Sequence, residues 1–135
     1  MTADRRLFLT VSLAAAATTA GLTGCSGSSN APASQNTPRA PITLPISDVP
    51  SGGGVILKDK GFVVAQPTEG NFRAFSAICT HQGCVVTTIE GQEIVCDCHG
   101  SRFALADGAV TRGPATAALG AATVSRAGDT LTVSA

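Results

Sequence analysis

Hydrophobic residues are spread along this chain in two different ways. Near the N-terminus they form one Ala-rich run over residues 7–20. Beyond residue 42 they fall into short runs, rich in β-branched and aromatic side chains, set between turn signals. Val55-Ile56-Leu57 follows a glycine triplet, and Phe62-Val63-Val64-Ala65 is closed by Pro67 and Gly70. Residues 72–78 lead into the first of a group of cysteines. Residues 85–89 and 93–96 flank Glu90-Gly91-Gln92, which reads as a hairpin turn. Ala122-Thr123-Val124 and Thr130-Leu131-Thr132-Val133 flank Arg126-Ala127-Gly128-Asp129, a second hairpin. No stretch after residue 42 keeps helical spacing for ten residues. The pattern therefore predicts an all-β domain of many short strands.

The first 25 residues read as an export signal. A short basic start, Asp4-Arg5-Arg6, precedes the apolar run, which falls short of the roughly 20 predominantly apolar residues of a spanning helix. Arg5-Arg6-Leu7-Phe8-Leu9 resembles the core of a twin-arginine signal, the route for proteins exported already folded. Leu22-Thr23-Gly24-Cys25 resembles a bacterial lipobox, in which Cys25 is acylated and becomes the new N-terminus. An uncleaved N-terminal anchor is the alternative. Residues 26–41, rich in Ser, Pro, Ala and Thr and without apolar periodicity, read as a flexible linker. The folded domain is then expected over residues 42–135.

With 135 residues and 13.4 kDa, the chain has room for one small domain. Nine basic residues balance nine acidic ones, and without Asp4, Arg5 and Arg6 the remainder is 7 against 8. That balance argues against nucleic acid as a partner and gives little long-range steering. Trp and Tyr are absent and Phe numbers 5, too few aromatics for a base-stacking platform. A core this small is often marginal without added constraints, and the chain supplies candidates for a metal site and a cross-link.

Both His residues and four of the 5 Cys lie in two clusters, Cys79-Thr80-His81-Gln82-Gly83-Cys84 and Cys96-Asp97-Cys98-His99-Gly100-Ser101. Zinc accepts Cys and His in tetrahedral combination. A disulfide pair with incidental His is a second reading, and a Cys nucleophile activated by His a third, although one thiol suffices for that. Cys-x-His together with Cys-x-x-His fits a fourth better: two thiolates on one iron and two imidazoles on the other, as in a Rieske-type [2Fe-2S] cluster.

The two clusters resemble the paired signature of the Rieske family, C-T-H-x-G-C and C-x-C-H-G-S. The resemblance extends through Ser101-Arg102-Phe103-Ala104-Leu105-Ala106-Asp107-Gly108 to Gly113-Pro114-Ala115. It implies an antiparallel β-sandwich with a small cluster-binding subdomain. It also implies that Cys79 and Cys96 ligate one iron and His81 and His99 the other, that Cys84 and Cys98 form a disulfide between the two loops, and that Gly113-Pro114 covers the cluster from a third side. Two ferric ions, two sulfides and two thiolates sum to zero, so an electron enters more readily than with four thiolates, and imidazole ligation raises the potential toward roughly −150 to +300 mV. The imidazoles also keep a ring nitrogen for protons, linking electron and proton uptake, and their edges form the expected electron exit.

Three positions depart from quinol-oxidising members of the family. Phe103 stands where those members have a Tyr that donates to a ligand sulfur, Gln82 where they have Leu, and Asp97 where they usually have Pro. Ser101 keeps a hydroxyl able to donate to a bridging sulfide. Loss of one donor and an added carboxylate both predict a lower potential, and Gln82 would shield the cluster less. The implied function is one-electron transfer on the outer face of the cytoplasmic membrane, with redox proteins as partners: a cytochrome, a quinol-linked complex or a molybdoenzyme. The alternatives are a small Rieske subunit of a larger oxidoreductase, of the quinol:cytochrome c or molybdenum oxidase type, and a zinc-stabilised binding module. With both His engaged by the cluster, none is left for a mononuclear iron, so a stand-alone oxygenase is not expected.

Overall fold

The computed structural model describes residues 39–135; the expected export signal, the acylated Cys25 and all but the last few residues of the expected linker lie outside them. The described chain is built of ten strands: β1 (Ile42–Pro45), β2 (Gly53–Leu57), β3 (Phe62–Thr68), β4 (Asn71–Ser76), β5 (Thr88–Glu90), β6 (Glu93–Cys96), β7 (Ser101–Ala104), β8 (Val110–Arg112), β9 (Ala121–Ala127) and β10 (Thr130–Ser134). Two three-residue 3-10 turns, Ile46–Asp48 and Lys58–Lys60, are the helical content. A six-stranded sheet has the order β1-β10-β9-β4-β3-β2, a four-stranded sheet the order β5-β6-β7-β8, and all named pairings are antiparallel. The fold is the all-β class that the hydrophobic pattern predicts.

Strand β3 explains why the two sheets make one domain. Side chains alternate across a strand, and both of its faces are covered. Phe62 and Val64 enter a core with Leu44, Phe72, Ala74, Leu131 and Val133, drawn from both ends of the six-stranded sheet, so that sheet curls around them. Val63 and Ala65 enter the opposite core with Phe75, Ile94, Phe103, Leu105 and the buried Cys79 and Cys96. A strand buried on both faces reads as a continuous apolar run, and Phe62-Val63-Val64-Ala65 is one.

Four local features differ from the pattern. Strand β1 is short and ends in Pro45, which an edge strand tolerates. Pro67 does not close β3: Gln66 and Pro67 together face Phe72, a bulge where the missing N–H is not needed. Residues 85–87 are not in a strand; Val85 makes one isolated bridge to Ile78 and is 37 % exposed. Strands β7 and β8 lie where the sequence offered motif residues but no hydrophobic alternation.

The outer face of the four-stranded sheet is held by polar ties. Arg102 pairs with Glu90 at 2.8 Å and with Glu93 at 3.1 Å, and the Thr111 hydroxyl donates to Glu93 at 2.6 Å. The Thr111 hydrogen bond first, and Arg102 next, hold the Glu93 carboxyl below the usual carboxylate range. The ties therefore persist through that range and are lost only as pH falls below it, through the lowered pKa of Glu93.

Gly108 connects this sheet to the core. It has φ 73°, and a Cβ there would meet the Phe75 ring at 2.9 Å, whereas at Gly128, φ 60°, nothing lies within 4 Å. Gly128→Ala is expected to cost about 1 kcal/mol, the left-handed backbone alone. Gly108→Ala is expected to cost roughly 1–3 kcal/mol more, from overpacking, and denaturant midpoints of the two variants measure the difference.

Candidate metal centre

Two loops built on one plan carry the Cys and His clusters. The first follows β4, and its neck is closed by the Ile78–Val85 bridge and by the Cys79 N–H donating to the Cys84 carbonyl at 2.7 Å. The second is the turn between β6 and β7, flanked by the Cys96–Ser101 register pair. In each, a glycine N–H donates back to the carbonyl of the leading cysteine: Gly83 to Cys79 at 3.0 Å, Gly100 to Cys96 at 2.9 Å. Both glycines are left-handed, φ 77° and 80°, a conformation that a side chain at either position would strain.

The two loops bring Cys79 against Cys96 in the core and His81 against His99 at their tips. Cys79 and Cys96 are free thiols, 2 % and 1 % exposed. The rings of His81 and His99 pack edge to face with centroids 4.7 Å apart. His99 is exposed and His81 half-buried, and the Nδ1 of His81 is buried without a hydrogen-bond partner. A buried imidazole nitrogen normally finds a partner, so this orphan is a candidate metal-ligand atom. Burial, and next the hydrogen bond with the Cys79 thiol, push the Cys96 thiol above its ordinary pKa; the N–H groups of Cys98 and His99 that face its sulfur act against this. A metal binding there would displace the proton from a Cys96 thiol already supplied with such donors.

Cys84 and Cys98 form a disulfide that joins the loops, with Cα atoms 6.5 Å apart. Their sulfurs lie within 4.8 Å of the Cys96 sulfur, but, bonded to each other, they are not thiolate ligands. Further ties run beside the cross-link. The Thr87 hydroxyl donates to the Asp97 carboxylate at 2.5 Å and accepts the Asp97 N–H at 3.3 Å. A third segment, containing the cis Gly113-Pro114 peptide, is bound to both loops: the Ala115 N–H donates to Ser101 Oγ at 3.0 Å, and the Thr80 hydroxyl donates to the Ala117 carbonyl. Gly113, Pro114 and Gln82 are exposed, whereas Ser101 and Phe103 are fully buried. Ser101 accepts from Ala115, so its own hydroxyl proton remains free. Phe103 packs in the core that contains both free cysteines. Sequence reasoning assigned nothing to Thr80, Thr87, Ala115 or Ala117. Thr87 lies outside both motifs, and hydrogen bonds to backbone carbonyls leave no trace in residue type.

The sequence model of the Rieske [2Fe-2S] domain matches residues 41–125. The cytochrome b6-f complex iron-sulfur subunit of Prochlorococcus marinus (strain MIT 9211) is 37% identical over 103 residues, covering 70% of this chain and 57% of its own. The corresponding subunit of Chlorobaculum tepidum is 43% identical over 74 residues, 52% of this chain and 39% of its own. The chain thus spans between two fifths and three fifths of the length of these relatives. Among solved structures, the cyanobacterial plasma membrane Rieske protein of Synechocystis PCC 6803 superposes with a TM-score of 0.52 at 30% identity, covering 62% of this chain and 87% of that one. The buried thiol pair and the orphaned imidazole nitrogen fit the family's [2Fe-2S] cluster, which sets aside the zinc reading.

The disulfide closes a loop of sequence separation 14, which in the chain-entropy account contributes about 3 kcal/mol. Replacing Cys84 and Cys98 by Ala is expected to lower unfolding free energy by about that amount, and Thr87→Val by about 1 kcal/mol. Chemical denaturation of the loaded protein checks both.

Proposed function

This chain belongs to the Rieske [2Fe-2S] domain family, and from that premise we propose that it is a one-electron carrier tethered by lipid to the outer face of the cytoplasmic membrane. One observation carries the reading: two buried free thiols and two adjoining imidazoles, one of them at the surface, converge from two cross-linked loops. Cys79 and Cys96 would hold one iron, and His81 and His99 the other. When bound, the cluster supplies a one-electron couple.

The surrounding residues set the conditions for that couple. Exposed His99 offers the shortest way out for an electron, and each ligating imidazole keeps a second ring nitrogen that can hold a proton. The Ser101 hydroxyl, oriented by the Ala115 N–H, is free to donate toward the thiol side. Phe103 excludes water from that side and donates nothing. Exposed Asp97 adds a carboxylate near the site and Phe103 supplies no donor, so the potential lies below that of quinol-oxidising relatives, while exposed Gln82 shields the site less than their Leu.

The location rests on the paired Arg5-Arg6, on Cys25 and on a disulfide suited to an oxidising compartment. It is also supported by likeness to a protein described as a plasma membrane Rieske protein. The b6-f relatives favour a second reading, the small subunit of a quinol-linked complex, and co-purification with a large membrane partner would select it. Redox partners follow in either case: a cytochrome, a quinol-linked complex or a molybdoenzyme.

The purified chain is expected to contain iron and acid-labile sulfide and to give a Rieske-type paramagnetic resonance signal on reduction; a colourless, iron-free protein refutes the carrier. Phe103→Tyr restores a donor, and one hydrogen bond to a charged acceptor, about 1.5 kcal/mol, raises a one-electron potential by on the order of 60 mV. Redox titration measures it. Cys25→Ser is expected to abolish palmitate incorporation and to release the mature chain from membranes.

A further inference from the structure

A cavity of about 530 Å³ opens where the described chain begins. Three of its lining residues are cations, Arg39, Lys58 and Lys60, and Pro41, Ile42 and Ile78 give it apolar wall. The two lysines are exposed on the turn between β2 and β3. Arg39 is built into the structure. Its guanidinium lies 5.7 Å from the Phe62 ring centroid and donates to Ser76 Oγ at 3.2 Å. It also passes so close to Gly61 that a Cβ there would meet Arg39 Nε at 2.6 Å. Among the described residues, none of the three cations forms an ion pair; Arg102 takes part in both that occur. Asp59 is the one acidic residue lining the cavity, so positive charge is in excess.

We propose that this cavity receives the headgroup of an anionic phospholipid. Cations and apolar wall side by side match a phosphate joined to glycerol and the first methylenes of an acyl chain. A free phosphate would engage the cations and leave Ile42 and Ile78 without a role. The inference rests on the lipid-tether reading. Arg39 lies 14 positions after Cys25, and on the linker reading of the sequence a chain of that length would span on the order of 20 Å, which would keep the headgroup layer at high effective concentration. Seating has a consequence for the metal centre. Ile78 immediately precedes Cys79, and the Ala77 N–H donates to the Gly61 carbonyl at 2.9 Å. A domain docked here therefore holds its first Cys/His loop beside the membrane surface.

Both cores lie within residues 39–135, so a chain beginning at Ser26 keeps the whole fold while removing the apolar run and the acylated cysteine. This chain, loaded with its cluster, is mixed with vesicles of phosphatidylcholine alone or with added phosphatidylglycerol, and bound protein is measured by sedimentation. Salt-sensitive binding to the anionic vesicles is expected. Lys58→Gln combined with Lys60→Gln should weaken it about 25-fold, about fivefold per charge near the surface. Arg126→Gln, which removes an equal charge outside the cavity, should leave binding unchanged. Equal binding to both vesicle types, a lysine double variant that binds like the parent, or an equal loss per charge at Arg126 would each overturn the proposal. So would calorimetric binding of inorganic phosphate without vesicle binding, which would assign the cavity to a free anion. Visible absorption of the same sample reports on the carrier, and palmitate labelling of the full chain on the anchor, so their failure is seen separately.

Discussion

Everything at the metal centre depends on two loops being kept at a fixed separation. Each brings one thiol and one imidazole, and neither loop has a strand ladder across its tip to hold it. Loops are the mobile parts of a fold, and a ligand set divided between two of them loses affinity as their distance fluctuates. The Cys84–Cys98 bond removes most of that freedom. The Thr87–Asp97 pair, the Ala115–Ser101 bond and the Thr80–Ala117 bond add a second and a third connection, so three segments are tied together. The Thr87–Asp97 and Thr80–Ala117 bonds are exposed and individually worth little, whereas the Ala115–Ser101 bond is buried. Placed around a covalent link they act on the rotations that one bond cannot stop.

The frame behind the loops is set by packing. Cys79 and Cys96 belong to the same core as Val63, Ala65, Phe75 and Phe103, and that core lies on one face of β3. The other face of β3 carries the core of the six-stranded sheet. The position of the thiols is thus fixed by the domain's central strand, through side chains with no freedom to shift in a close-packed interior. A change in volume at Val63 or Ala65 acts on the site, whereas one at Phe62 or Val64 must act through the strand first.

This division also explains what was legible in the sequence. β3 stands out because both of its faces are apolar, β4 because Phe72, Ala74 and Phe75 are buried, and the hairpins β5–β6 and β9–β10 because Gly91 and Gly128 take left-handed turns. β7 was invisible because its inward positions are Ser101 and Phe103; a buried serine breaks the hydrophobic period while serving the site. β8 is three residues long with a bulge at Thr111, and β1 ends in proline, so neither has enough pattern to declare itself. Residues 85–87 look like a strand in composition, but they follow directly on a cysteine tied to the other loop, and pairing begins only at Thr88. The six Cys and His positions were legible because their chemistry is rare and their spacing tight. The ties around them were not, since threonine, alanine and aspartate carry no such mark.

Net charge describes this domain poorly. Seven basic and eight acidic residues suggest a surface without direction, yet pairing removes them unevenly. Glu90 and Glu93 neutralise Arg102 on the four-stranded sheet, and Asp97 is engaged by Thr87 beside the metal centre. Among the described residues, Arg39, Lys58 and Lys60 stand together without an ion pair on one flank of the six-stranded sheet. Long-range steering follows the net charge and is weak, but forces within a Debye length, about 10 Å at 0.1 M salt, follow the local arrangement. On the proposed reading, a carrier held by a tether has no need of steering over long distances. What it needs is a preferred orientation once near the surface, and an uneven distribution of unpaired charge on a neutral domain is the arrangement that provides one.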